Sequence, residues 1–170
     1  TKESGELQAG QLVTLYRALN SYPPFFTRLL SPSDAVASYT FASREEQYVW
    51  IAKEIKQNIE QDELDPDDIM VVLVDPISQR SEYFGLRRHL ESHGITSNLA
   101  GITNDRDTFI VPGEVTVSAI YRAKGNEAPM VYIANADHCA IGHELIRLRN
   151  ILFSAIYRAK GNEAPMVYIA

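Results

Sequence analysis

The chain has 170 residues, of which 45% are hydrophobic and 22% charged, proportions that are typical of a soluble globular domain. The formal net charge of −6 excludes a broadly basic surface, so any contact with nucleic acid has to be local. No apolar run approaches the ~18 residues of a membrane span, and the single Cys139 excludes an internal disulfide, which together favour a cytoplasmic location without a membrane partner.

The first 35 residues are weakly patterned, and we interpret them as a lead-in to a domain that spans residues 36–170. Residues 35–41 alternate as a strand does. Ser43 followed by Glu46 predicts a capped helix start, and apolar side chains then recur at helical spacing at Tyr48, Ile51, Ala52, Ile55 and Ile59. The acidic stretch 60–68 predicts an exposed loop, because it lacks the glycine that a calcium-binding loop needs.

A continuous apolar run at 69–74 predicts a strand that is buried on both faces, as in parallel sheets. A helix follows and is expected to end at Gly94, and further strands are predicted at 115–120 and 130–134. This alternation predicts a three-layer α/β domain with a mainly parallel sheet. Because ligands bind at the carboxyl ends of parallel strands, the loops after Val74, Ile120 and Ala134 are the candidate site.

Residues 118–134 are repeated letter for letter as residues 154–170. Natural repeats diverge, and a repeat architecture needs at least about three units to enclose a core. We therefore interpret the copy as a cloning, assembly or sequencing artefact or as a recent tandem duplication. If the copy folds, residues 166–169 are expected to form an edge strand.

The loop between the two later strands carries the side chains of greatest chemical interest. Glycine in the Lys124-Gly125 pair lets a backbone N–H approach a phosphate closely. Arg122 and Lys124 are suited to hold a phosphodiester, Tyr121 to stack on a base, and Glu127 to accept hydrogen bonds from a ribose. The alternative, a basic turn whose charges are merely solvated, stays open from these residues alone.

This segment resembles motif V of UvrD/Rep-type superfamily 1 helicases, which reads roughly Thr-Ile-His-x-x-Lys-Gly-Leu-Glu-Phe-Pro between two apolar strands. The matching residues are Ile120, Lys124, Gly125, Glu127 and Pro129. Alanine and tyrosine stand where the family has threonine and histidine. The resemblance implies DNA binding by Ser118, Tyr121, Arg122 and Lys124, and ATP binding by Gly125 and Glu127.

Two further segments resemble motifs of the same family. Residues 149–160 are similar to motif VI, Arg-x-Leu-Leu-Tyr-Val-Ala-Leu-Thr-Arg-Ala-Arg, and match at Arg149 and Arg158. The resemblance implies that Arg158 is a catalytic arginine finger, which stabilises charge on the transferred phosphoryl group. Leu15-Tyr16-Arg17 is similar to the core of motif IV, which implies a second catalytic arginine at Arg17; a surface arginine is the open alternative.

The sequence contains no Gly-x-x-x-x-Gly-Lys-Ser/Thr loop, and Asp75 is followed by proline rather than the glutamate of a Walker B strand. The resemblance therefore implies a RecA-like second motor domain of an ATP-dependent DNA helicase, of the P-loop NTPase type, that is inactive alone. Its expected partners are the N-terminal RecA-like domain of the same longer protein and single-stranded DNA. ATP and Mg²⁺ are expected in the full-length protein and no cofactor on this chain alone.

A function other than that of a helicase motor stays open from the sequence. A polar start without methionine is what a fragment would have. His138, Cys139 and His143 are too few and too loosely spaced for structural zinc, so no metal is expected. The alternative function is a non-catalytic α/β module, derived from a degenerate helicase domain, that binds proteins or regulates them; such a module predicts an exposed apolar patch.

Overall fold

The computed structural model describes residues 36–75, 77–103, 105, 107–123, 126, 128–140, 150 and 166–169. The elements, in chain order, are β1 (Val36–Ser38), α1 (Arg44–Gln61), β2 (Ile69–Leu73), α2 (Gln79–Ser92), β3 (Ser97–Leu99), β4 (Val115–Ala119), β5 (Met130–Ala134) and β6 (Met166–Ile169). Short 3₁₀ helices lie at Pro66–Asp68 and Ala136–Ala140. The division into a lead-in at 1–35 and a domain at 36–170 stays a prediction, because the lead-in lies outside the described residues.

The described strands form one six-stranded sheet in the order β1-β6-β5-β2-β4-β3, in which every pair of neighbours is parallel. Every residue of β2, β4 and β5 is buried. Strands covered on both faces need side chains that tolerate burial at each position, which is why the apolar run at 69–74 predicted such a strand. The predicted α/β, RecA-like class with a parallel sheet is confirmed.

Alternate side chains of the strands contribute to two separate hydrophobic clusters, one on each face of the sheet. Helices α1 and α2 cover the first face, where Ile51, Tyr83 and Leu86 pack against the strands. The opposite face contains Val72 and Ile133. Residues that follow β5, such as Cys139, also pack on this second face.

Helix α1 begins with the predicted Ser43 N-cap, and Glu46 binds the amide one residue before the cap rather than the cap amide of a full capping box. The Ser43 hydroxyl accepts a hydrogen bond from the Glu46 amide at 3.2 Å, and the Glu46 carboxylate accepts one from the Ala42 amide at 3.0 Å. Trp50 packs near the rings of Tyr39 and Tyr132, at centroid distances of 4.4 and 6.2 Å. The described helices include none that is long and apolar enough to cross a membrane.

Helix α2 connects β2 to β3 across the first face. Gly94 has a φ of +76°, and the Ile95 amide donates to the Leu90 carbonyl at 3.0 Å, which ends the helix where the sequence predicted. The Tyr83 hydroxyl donates to the Ser97 carbonyl at 2.8 Å and thereby links α2 to β3. The helix thus begins at the carboxyl edge of the sheet and runs toward the opposite edge.

Strand β6, which belongs to the duplicated segment, corrects one expectation. It was predicted to be an edge strand, but it lies between β1 and β5. Its residues pair with their own counterparts in the first copy, as in Met130 with Met166 and Ile133 with Ile169. Strand β1 pairs with the other side of β6, so β6 has a parallel neighbour on both sides.

Candidate nucleic-acid interface at the carboxyl edge

The carboxyl ends of β2, β3 and β4 are joined by hydrogen bonds that continue beyond the strands. The Ile120 amide donates to the Leu73 carbonyl at 3.0 Å, and the Ala100 amide donates to the Val117 carbonyl at 2.9 Å. The loops that follow these strands therefore start from fixed positions at one edge of the sheet. This is the edge at which parallel α/β sheets bind their ligands.

The turn after β4 is held by its own hydrogen bonds. The amides of Arg122 and Ala123 both donate to the Ala119 carbonyl at 2.9 Å, and the Asn126 side-chain amide donates to the Arg122 carbonyl at 3.2 Å. In this turn the Tyr121 side chain is 48% exposed, and Arg122 is also exposed. An ordered turn thus presents an aromatic ring and a guanidinium group to solvent.

The guanidinium group of Arg122 lies against the backbone of Gly101 in the loop after β3. A Cβ at position 101 would lie 2.2 Å from Arg122 Cζ and Nη2, which is far inside van der Waals contact. Gly101 also has a φ of +69°, a conformation that side chains disfavour. Glycine therefore suits the backbone conformation at this position, and its lack of a Cβ leaves room for the guanidinium group to approach.

The loop after β3 is itself anchored. The Thr103 hydroxyl accepts a hydrogen bond from the Leu99 amide at 2.9 Å, and the Ile102 amide donates to the Leu99 carbonyl at 3.0 Å. The loops after β3 and β4 thus meet where the Arg122 guanidinium lies against the Gly101 backbone. Sequence reasoning missed Gly101, and the glycine alone gave no signal of this contact.

The structure describes three of the eight residues that the sequence assigned to a site. Tyr121 and Arg122 are exposed neighbours on the turn after β4. Ser118 is completely buried in β4, and its hydroxyl donates to the Ala119 carbonyl at 3.2 Å. The other five assignments lie outside the described residues and stay predictions: Arg17, Lys124, Gly125, Glu127 and Arg158. The DNA contact assigned to Ser118 also stays a prediction.

A polar network that the sequence did not predict lies beside this edge, after β2. Asp75 accepts hydrogen bonds from the Ile77 amide at 2.9 Å and from the Ser78 hydroxyl at 2.6 Å. Burial alone would raise the pKa of Asp75, but these hydrogen bonds, together with His138 at 4.0 Å, lower the pKa below its ordinary value. Asp75 thus binds the turn between β2 and α2.

Glu82 forms the buried centre of the same network, with only 3% of its surface exposed. Its carboxylate lies 2.7 Å from the Ser78 hydroxyl and 3.3 Å from Arg44 Nη1, and it accepts a hydrogen bond from the Asn135 amide at 2.9 Å. Asn135 has a φ of +58° at the end of β5. The network therefore ties the start of α1, the start of α2 and the end of β5 together and makes this part of the edge rigid.

Two titratable side chains near this network have pKa values shifted by burial. Burial raises the pKa of Tyr48, and the hydrogen bond that its hydroxyl accepts from the Asn135 amide at 3.4 Å lowers the pKa by a smaller amount. Burial also raises the pKa of the Cys139 thiol, which favours the unreactive protonated form. Within the part of the chain that the structure describes, no group of three or more histidine, cysteine or acidic side chains could hold a metal ion.

Comparison with known proteins gives a match in structure only. No protein-family model matches the sequence, and no curated protein matches it either. The structure is similar to the crystal structure of the C-terminal domain of a possible DNA helicase from Lactobacillus plantarum WCFS1, with a TM-score of 0.50 and 20% sequence identity over 81% of this chain and 72% of that one. At this level of identity, the likeness shows that the two domains share an α/β fold.

Proposed function

We propose that this chain acts as the second RecA-like motor domain of an ATP-dependent DNA helicase of the UvrD/Rep type within superfamily 1. The observation that carries the proposal is the motif V-like turn, which presents Tyr121 and Arg122 at the carboxyl edge of a parallel sheet. The fold is similar to that of the C-terminal domain of a possible DNA helicase, which supports the same role.

In this proposal the turn after β4 grips single-stranded DNA. Arg122 and Lys124 pair with phosphates, and the exposed ring of Tyr121 stacks on a base, since stacking tolerates any sequence. Ser118 lies at the end of the strand that carries the turn. The Gly101 backbone occupies one side of the Arg122 guanidinium and narrows the range of its positions, so less freedom is lost when DNA binds.

The ATP cleft requires a second domain of the same longer protein, which supplies the phosphate-binding loop and the Mg²⁺ ligands. Glu127 holds the ribose, Gly125 belongs to the same ATP-binding turn, and Arg158, with Arg17, reaches the γ-phosphate. ATP binding closes the two domains on each other and hydrolysis reopens them, which moves the bound strand.

ATP turnover by the full-length protein tests the motor role. Single-stranded DNA should stimulate turnover, and Arg158→Ala should lower it by about a thousandfold or more, as expected for an arginine finger. Turnover that does not respond to DNA or to Arg158→Ala would instead identify a non-catalytic module.

Binding of an oligothymidylate probe to this chain tests the DNA grip separately. We expect weak binding at low salt, and Arg122→Ala should reduce the slope of log affinity against log salt by about 0.7, the value for one phosphate contact with a single strand. Lys53→Ala, which removes an exposed cation from α1, is the matched control and should leave the slope unchanged. Equal slopes for both variants would exclude Arg122 from the interface.

A further inference from the structure

The solvent-facing side of α2 carries a mixed aromatic and basic surface. Phe84 is 56% exposed in the middle of the helix, whereas its neighbour Tyr83 is fully buried. Side chains three or four positions away share its helix face. An open groove of about 550 Å³ is lined by Ser81, Phe84, Gly85, Arg87, Arg88 and Glu91. We call this groove, together with Arg80 four residues before Phe84, the α2 surface.

The α2 surface has an excess of positive charge. It contains three arginines and one glutamate, in a chain whose net charge is −6. Arg87 is paired with Glu91, with Nε 2.6 Å from the carboxylate oxygen. Neither Arg80 nor Arg88 has an ion pair or a hydrogen bond among the described residues, and both are exposed. Two unpaired guanidinium groups therefore flank an exposed aromatic ring.

We propose that the α2 surface is a docking site for an acidic peptide segment of a partner protein, with an apolar side chain of that segment packed on Phe84. Aromatic residues and arginine are the types that interfaces between proteins enrich, and they supply most of the binding energy. Arg80 and Arg88 have the planar donors that hold a carboxylate with two parallel hydrogen bonds. The charge and the shape of the surface thus select an acidic partner with an apolar anchor.

A peptide fits this surface better than a nucleic acid does. The carboxylate of Glu91 lies within the groove, and on the adjacent helix α1 the 62% exposed Glu45 side chain lies 3.0 Å from His89 of α2. A nucleic-acid strand carries a phosphate at each nucleotide and would be repelled at these points, whereas a peptide can place its carboxylates only opposite Arg80 and Arg88.

The docking site does not depend on the proposed motor function. Phe84 and Arg88 lie along the exposed flank of α2, which runs away from the carboxyl edge that carries Tyr121 and Arg122. A helicase domain and a non-catalytic module can both use such a surface. The two proposals can therefore fail separately.

Panning a display library of random short peptides against the full chain tests the site directly. Peptides retained by the native chain but not by Phe84→Ala should combine several aspartates or glutamates with an aromatic or aliphatic residue. Enriched peptides that are neutral or basic, or that Phe84→Ala retains equally well, would overturn the proposal. So would the absence of any enrichment.

Fluorescence anisotropy with the most enriched peptide then measures the contribution of each group. Phe84→Ala should weaken binding by about tenfold or more, as at an interface hot spot, and Phe84→Leu should weaken it less. Arg80→Ala with Arg88→Ala should weaken binding and reduce its salt dependence. Circular dichroism and the denaturation midpoint verify that each variant is folded.

Two controls test whether the surface selects an acidic peptide rather than any anion. Replacing Lys53 and Lys56 of α1 by alanine removes the same positive charge elsewhere and should leave the affinity unchanged. An oligothymidylate probe replaces the peptide in the same titration. If the oligonucleotide binds more tightly than the peptide and this binding is lost in Phe84→Ala, the α2 surface is a nucleic-acid site and the proposal is wrong.

Discussion

Replacing Gly101 by alanine tests how the Arg122 side chain is positioned. The added Cβ would lie 2.2 Å from the guanidinium carbon, whereas carbon atoms in contact are normally about 3.5 Å apart, so the group has to move away by about 1.3 Å. The backbone of residue 101 has a φ of +69°, which costs a residue with a Cβ about 1–2 kcal/mol. The substitution therefore combines backbone strain with displacement of one side chain.

Gly113→Ala separates these two effects. Gly113 has a φ of +77°, but a Cβ there would meet nothing within 4 Å. We expect both variants to lose about 1–2 kcal/mol of stability from strain, which lowers Tm by roughly 2–8 °C in a domain of this size. Denaturant unfolding measures this loss. Only Gly101→Ala should also change binding of oligothymidylate, because only this variant moves Arg122.

A double-mutant cycle gives the decisive comparison. Loss of a charged hydrogen-bonding group costs about 1.5–3 kcal/mol, so Arg122→Ala should weaken oligothymidylate binding by about tenfold or more. Gly101→Ala should weaken binding in the native background and have no further effect on Arg122→Ala. If Gly101→Ala binds as tightly as the native chain, or if the two effects add in full, Gly101 does not position Arg122.

Three further predictions concern titratable groups beside the edge. Glu82→Ala should destabilise the domain by about 1–3 kcal/mol, because the buried Asn135 amide loses its acceptor. Glu91→Ala, which breaks an exposed ion pair, should cost less than about 1 kcal/mol. Equal losses of unfolding free energy in denaturant would show that the Glu82 network does not stabilise the fold. Because the pKa of Asp75 is lowered in the folded state, its carboxylate stabilises the fold above the ordinary carboxyl pKa of about 3.9. This stabilisation is lost as the pH falls through the lower pKa of the folded state. The difference in unfolding free energy between the native chain and Asp75→Asn should therefore shrink on acidification. A difference that stays constant with pH would contradict this. Cys139, whose pKa is raised by burial, should react with iodoacetamide much more slowly in the native chain than in denaturant. Equal rates would show that the residues packed over the thiol move away readily in the folded state.

The sequence alone was sufficient for the elements whose signals are local. Three features each depend on residues within a few positions of one another: the Ser43 N-cap of α1, the end of α2 at Gly94 and the buried run of β2. Because helices repeat every 3.6 residues and buried parallel strands are continuously apolar, such patterns predict structure before any tertiary contact is known. The parallel α/β class follows from the order of these elements.

The site could be predicted only in part. The turn after β4 was recognised because its residues are contiguous, and the structure places Tyr121 and Arg122 on that turn, exposed. Gly101 was missed because its meaning depends on Arg122, which arrives from a different loop. Glu82 was missed because a glutamate in the first turn of a helix normally faces solvent, where it favours the helix dipole.

Only the tertiary structure decided the contacts between residues that are far apart in the chain. Asn135 and Glu82 are 53 positions apart, and they meet because β5 and β2 are neighbours in the sheet with their carboxyl ends at one edge. The same register carries the loops after β3 and β4 to each other and places β6 between β1 and β5 instead of at the rim. Local periodicity specifies which face of an element is apolar, but the choice of neighbour depends on the packing of the whole sheet, and no single segment encodes that choice.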